Sequence, residues 1–231
     1  MAALKSQGGA SPSGLDSQGW RRLRTSFRKA SSDLCNSVEL LARRICTTTV
    51  DPAGLTPLTA CRLVALDKCP GVRPVGIGET IRRIIAKAIL HIIGPEIQEA
   101  AGPSQLCAGQ ESGCEAAVHA MQKIFSDENN EAILQVDANN AFNCLNRQST
   151  LRNTQVLCPS FVTVLINTYR SSAELFIDGE TIISQEGTTQ GDPLAMSMYA
   201  RGILPLIKQL DHIARQVWFA DDASAGGKLA Q

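Results

Sequence analysis

Two adjacent carboxylates, Asp221 and Asp222, follow the apolar and aromatic run Val217-Trp218-Phe219-Ala220. Ala223, Ser224, Ala225, Gly226 and Gly227 come next, all small enough for a tight turn. The pattern predicts a strand, a sharp reversal with both Asp at its mouth, and a short return strand. Like charges side by side repel, so a positive partner belongs there, and hard divalent cations take carboxylate oxygens. Taken alone, such a pair is more often a polar turn after a buried strand than a metal site. A third carboxylate decides between the two readings. It stands 84 positions upstream, where Ala132-Ile133-Leu134-Gln135-Val136 ends in Asp137. That nearly all-apolar run reads as a strand in the middle of a sheet. If the two strands are neighbours, three acids converge at one sheet edge. Such a cluster can hold two divalent ions about 3.5–4 Å apart, the arrangement of phosphoryl and nucleotidyl transfer.

The elements around these acids follow from local signals. Residues 1–19 are rich in Ser, Gly, Gln and Ala and read as a flexible tail. Arg21, Arg22, Arg24, Arg28 and Lys29 make a basic stretch, either a charged helix face or a contact to nucleic-acid backbone. Ser31, Ser32 and Asp33 can cap a helix whose apolar positions are Leu34, Val38, Leu41, Ala42 and Ile45. Asp51-Pro52-Ala53-Gly54 breaks the chain. Segments 62–66 and 74–77 flank the turn signal Asp67-Lys68-Cys69-Pro70-Gly71, predicting a β-hairpin with Lys68 and Arg73 near its tip. Helices are predicted over 79–93, ended by Gly94-Pro95, and over 112–125 and 159–169. Asp178-Gly179 between 173–177 and 181–184 supplies the positive φ angles of a tight hairpin. A Gly-punctuated loop follows, with Pro193 placed to begin a helix to about 210 that Pro205 can kink.

The 231 residues are 44% apolar and 19% charged, the composition of a globular protein with a real core. A net charge of zero argues against a simple basic nucleic-acid binder. The charge is unevenly spread, however. Residues 1–100 hold 14 Lys/Arg against 8 Asp/Glu, and residues 101–231 hold 8 against 14. A basic half suits phosphates and an acidic half suits cations, although a solvated surface explains the split equally well. The eight Cys contain no Cys-x-x-Cys pair, and none stands at zinc spacing to the three His. Free thiols in a reducing compartment are expected. No run of 18 apolar residues and no apolar signal core occur, so neither a membrane span nor secretion is expected. The expected location is intracellular, with nucleus and cytoplasm undecided.

Four segments together carry a family resemblance. Leu134-Gln135-Val136-Asp137-Ala138-Asn139-Asn140-Ala141-Phe142-Asn143 resembles the first palm motif of reverse transcriptases, an apolar strand, an Asp, and an aromatic five positions on. Gly187-Thr188-Thr189-Gln190-Gly191-Asp192-Pro193-Leu194 resembles their Gln-Gly motif, and Phe219-Ala220-Asp221-Asp222 their Tyr/Phe-x-Asp-Asp box. Gly71-Val72-Arg73-Pro74-Val75 resembles the fingers segment of the retrotransposon and group II intron branch. The motifs stand in family order over roughly residues 55–227 and look more like a non-retroviral retroelement than a retrovirus.

The resemblance implies an α+β polymerase palm, an antiparallel sheet backed by helices, over 131–231, with a basic fingers-like segment over 20–130. It implies RNA-templated DNA synthesis from deoxynucleoside triphosphates on an RNA template and a DNA primer. Asp137, Asp221 and Asp222 would be the catalytic metal ligands, holding two Mg2+ ions, with Mn2+ as the substitute. Phe142 would lie under the sugar and exclude a 2′-hydroxyl. Gln190 and Gly191 would line the nucleotide and template pocket. Arg73, and less directly Lys68, would bind the triphosphate. Ala195-Met196 depart from the Ser-Pro that many members carry. The family continues past this box into a thumb, so a truncated domain is expected. Two other readings stay open, a non-catalytic retroelement fragment that binds nucleic acid and an RNA-dependent RNA polymerase, which Phe142 disfavours. Oligomeric state is undetermined.

Overall fold

Apolar residues at helical spacing and hairpins with Gly-containing turns account for most of the elements. The computed structural model describes residues 11–229 and has an α+β fold. Its elements are α1 (Ser17–Thr25), α2 (Lys29–Thr47), a 3-10 turn (Pro52–Leu55), α3 (Thr56–Thr59), β1 (Cys61–Asp67), β2 (Val72–Gly78), α4 (Thr80–Ala101) and α5 (Gly113–Phe125). They continue as β3 (Ala132–Asp137), α6 (Ala141–Cys144), α7 (Arg147–Leu157), α8 (Pro159–Tyr169), β4 (Ala173–Ile177), β5 (Glu180–Ser184), α9 (Ala195–Leu210), β6 (Arg215–Phe219) and β7 (Asp222–Gly227). Among the described residues no helix is long and apolar enough to cross a membrane.

The strands form two sheets, ordered β2-β1-β4-β5 and β3-β7-β6. The first is mixed. Its two antiparallel hairpins join through a short parallel pairing, Cys61↔Leu175 and Arg62↔Phe176. Residues on both sides of the expected boundary at 130/131 therefore share one sheet. They also share one core, in which Ile85 and Ile89 of α4 cluster with Phe161 and Leu165 of α8 and Met198 of α9. The second sheet is antiparallel throughout, and Trp218 and Ala223 cluster with Leu204 and Ile207 of α9.

Several elements differ from expectation for identifiable reasons. Of the expected tail 1–19, residues 1–10 lie outside the described residues. Ser13 is fastened to Glu79, its N–H donating to Oε1 at 2.8 Å and its hydroxyl to Oε2 at 2.9 Å, and Asp16 caps α1. Ser31 lies inside α2 rather than at its cap, and its buried hydroxyl donates to the Leu23 carbonyl at 2.6 Å, joining α1 to α2. Helix α4 runs through Gly94-Pro95. An interior proline costs roughly 3 kcal/mol, but its far side is held by tertiary contacts. Ile97 and Ala101 are buried, and Arg201 donates to the Ile97 carbonyl. Helix α7 has no apolar stripe to announce it. Its buried Thr150 and Thr154 turn their hydroxyls back onto carbonyls four residues earlier, at 2.8 and 2.9 Å. Strand β3 is an edge strand, not a central one, with Leu134 and Val136 exposed. Pro193 precedes the start of α9 by two residues.

Asn167 of α8 is a polar rivet in this core. Its amide donates to the carbonyls of Ile45 and Thr48, each at 2.8 Å, and accepts from the Val50 N–H at 2.9 Å. Asn167→Ala strands three backbone groups, the Ile45 carbonyl among them buried, and should cost about 1–3 kcal/mol, measured as a lowered urea midpoint.

Candidate functional site

An antiparallel register places the acids. Asp137 ends β3 directly opposite Asp222, the first residue of β7, and directly opposed residues project to the same face. Phe219 is paired with Asp222 in turn, so only Ala220 and Asp221 lie between β6 and β7. Ala220 takes φ 59°, which a two-residue hairpin turn requires at its first position. The expected strand, reversal and return strand are all present. Asp137 and Asp222 are exposed and Asp221 is half-buried.

Asp221 occupies the turn and reaches another neighbourhood. Burial pushes the Tyr199 phenol up to about 12, and the charges of Asp221 and Cys107 add to it. Burial likewise pushes the Cys107 thiol up to about 11, with Asp221 among the smaller contributors. Tyr199 in turn stacks on Phe142, ring centroids 4.5 Å apart at 29°. Tyr199, stacked on Phe142, is thus within reach of the Asp221 charge. Among the described residues no Lys or Arg pairs with Asp137, Asp221 or Asp222. Nor do three His, Cys, Asp or Glu side chains form a group there that would hold a metal ion. The donor set itself is of the right kind, hard carboxylate oxygens with two of the three in register.

The loop between β5 and α9 closes the site through backbone approaches that only glycine permits. The Thr188 N–H donates to the Phe142 carbonyl at 2.6 Å and the Gly187 N–H to the Leu145 carbonyl at 2.9 Å. A Cβ at Gly187 would stand 2.3 Å from the Asn143 backbone. The Gly76 N–H of β2 donates to the Gln190 carbonyl at 2.7 Å, and a Cβ on Gly191, at φ 101°, would meet the Gly76 carbonyl oxygen at 2.6 Å. Gln190 and Gly191 therefore lie against the β1–β2 hairpin. Strand alternation puts Arg73 on the same face of β2 as Val75, the residue that lies beside Gly191. Lys68 is exposed in the hairpin turn, and no other candidate residue is seen touching it. All eight Cys are free thiols.

The residues that hold this loop were not among those singled out from sequence. The Asp192 side chain accepts from Arg82 of α4 and from the Tyr169 hydroxyl, and its other oxygen accepts from the Leu194 N–H at 3.0 Å. The Arg82 and Asp192 side chains are 8% and 3% exposed, so this is a buried ion pair. Burial disfavours the Arg82 charge, but Asp192 and Tyr169 outweigh it and hold its pKa above the ordinary arginine value. Burial, then Asp192, pushes the Tyr169 phenol well up, which keeps it a donor. Arg147 fastens the other end of the loop, donating to the carbonyls of Gly187 at 2.7 Å and Ser184 at 3.0 Å. A charged residue inside a Gly-rich motif was the available signal for Asp192. Arg147 gave none.

No family model and no curated protein matches the chain.

Removing the Asp192 carboxylate leaves a buried guanidinium without a counter-charge. Asp192→Leu should cost about 3–5 kcal/mol in urea unfolding. The double variant Arg82→Met/Asp192→Leu should lose less than Asp192→Leu alone, because no charge is then left buried.

Proposed function

We propose that the chain is a reverse-transcriptase domain that performs RNA-templated DNA synthesis. The observation that carries this reading is the pairing of Asp137 with Asp222 beside a two-residue turn bearing Asp221. Supporting it, the other segments of the resemblance converge on the same region. Phe142 stacks on Tyr199, whose phenol feels the Asp221 charge, and Gln190 and Gly191 contact the hairpin that carries Arg73. In this reading the β3-β7-β6 sheet with α9 belongs to the palm over 131–231, and the β1–β2 hairpin with α4 and α5 to the fingers over 20–130.

Asp137, Asp221 and Asp222 would hold the divalent ions. Mg2+ bound to such carboxylates lowers the pKa of an attacking hydroxyl and offsets charge on a leaving pyrophosphate. The remaining steps belong to the chain. Arg73, exposed on β2, offers a guanidinium fork to triphosphate oxygens. Gly191, lacking a side chain, lets nucleotide or template approach the backbone. Phe142, fixed by the Tyr199 stack and by the Thr188 hydrogen bond to its carbonyl, presents a ring where a 2′-hydroxyl would clash. RNA template, DNA primer and deoxynucleotides are the partners this reading needs.

The test is primer extension on an RNA template with Mg2+ and deoxynucleotides. The wild-type chain should extend the primer, and chelation or Asp221→Asn/Asp222→Asn should return extension to background. Phe142→Ala should raise ribonucleotide use relative to deoxynucleotide use by at least about tenfold, the scale of one lost steric contact in a discriminating pocket. Nucleic-acid binding without extension would mark a non-catalytic fragment. A wild-type preference for ribonucleotides would mark an RNA polymerase.

A further inference from the structure

We propose that Gln105 is the positioning residue for the turn that carries Asp221 and Asp222. Its effect on catalysis rests on the polymerase reading above, whereas its hold on the turn does not. The Gln105 side-chain amide bonds both backbone polar groups of one residue. Its Oε1 accepts from the Ala220 N–H at 3.0 Å, and its Nε2 donates to the Ala220 carbonyl at 3.2 Å. A strand neighbour pairs with a residue in the same two-way manner. Here a side chain replaces that neighbour at the point where β6 has stopped pairing.

The orientation of the amide is fixed. Oε1 also accepts from the Cys107 N–H at 3.3 Å. A flipped amide would set N–H groups against two N–H donors, so only one orientation satisfies the site. The backbone beneath the amide is fixed as well. The Trp218 N–H donates to the Ser104 carbonyl at 2.8 Å and the Leu106 N–H to the Trp218 carbonyl at 2.9 Å, a one-residue parallel bridge along the edge of β6. Helix α5 closes over it, since a Cβ at Gly113 would stand 2.4 Å from the Leu106 carbonyl oxygen. Gln105 is 2% exposed and Ala220 5%.

Ala220 needs such a clamp. At φ 59° it sits in the left-handed region, where a residue with a Cβ is disfavoured and glycine is the usual occupant. The turn would relax if its first residue returned to negative φ, and Asp221 and Asp222 would then swing with the backbone. By bonding both polar groups of Ala220, the Gln105 amide holds the peptide planes on either side of that residue and so sets where both carboxylates stand.

The experiment uses the full chain with Gln105→Met, which keeps the volume and loses both bonds, and Gln105→Glu, which keeps the acceptor and loses the donor. Hydrogen exchange is followed by mass spectrometry in a peptide covering 217–223 and in one covering the β4–β5 hairpin. With Gln105→Met, exchange at the turn should rise about ten- to hundredfold, the factor set by losing buried backbone hydrogen bonds, while the β4–β5 peptide is unchanged. Gln105→Glu should also raise exchange at the turn, because a carboxylate set against the Ala220 carbonyl cannot donate to it. In primer extension, kcat should fall by a similar factor with the KM for deoxynucleotide held within about twofold, the pattern of a misplaced catalytic group rather than lost substrate binding. Unchanged exchange at the turn in both variants overturns the proposal. So does a rise shared equally by the β4–β5 peptide, which would mark general packing. If Gln105→Met does not fold, the Gln105→Glu comparison decides by the same two criteria. If wild type extends no primer, the polymerase reading fails and the exchange measurements still judge Gln105.

Discussion

The buried pair of Arg82 and Asp192 is the constraint on which the site depends. It ties the loop before α9 to α4, two residues from where that loop meets the β1–β2 hairpin through Gln190. Such a pair adds little net stability, because desolvating two charges offsets most of their attraction. Its importance lies in the cost of alternatives. Any other placement of the loop would bury a charge without its counter-charge. Once Asp192 is anchored, the close approaches at Gly187 and Gly191 follow, and the Gln190 carbonyl meets β2.

Two groups of arginines stand out among the described residues. Arg82, Arg147 and Arg201 are buried and bond to carbonyls, a hydroxyl or a carboxylate of the protein itself. Arg21, Arg22, Arg24, Arg28 and Arg73 are exposed and make no ion pair among the described residues. The excess of basic residues before residue 100 is therefore partly structural and partly free for anions. At the opposite extreme, Asp137 and Asp222 face each other on neighbouring strands, and no Lys or Arg among the described residues pairs with either.

Short-range features were the most legible in the sequence. Asp178-Gly179 set its hairpin because the required positive φ angles at 178 and 179 belong to those two residues alone. The strand-turn-strand around Asp221 was equally local. Residues whose role depends on a partner far along the chain were not legible. Helix α7 satisfies its buried threonines internally and shows no apolar stripe. The Gly94-Pro95 stop signal was overridden by packing of Ile97 and by Arg201. The apolarity of β3 suggested a central strand, yet its other edge is open. Gln105 and Arg147 act on residues 115 and 40 positions away, and local pattern carries no trace of that.

The parallel pairing of β1 with β4 has a consequence for biosynthesis. Its partners, Cys61 and Leu175, are separated by 114 positions. A ribosome adding about 5–20 residues per second leaves the first hairpin waiting roughly ten seconds for its neighbour. Throughout that interval the free edge of β1 displays unpaired backbone groups, so the nascent chain is exposed to wrong partners until β4 emerges.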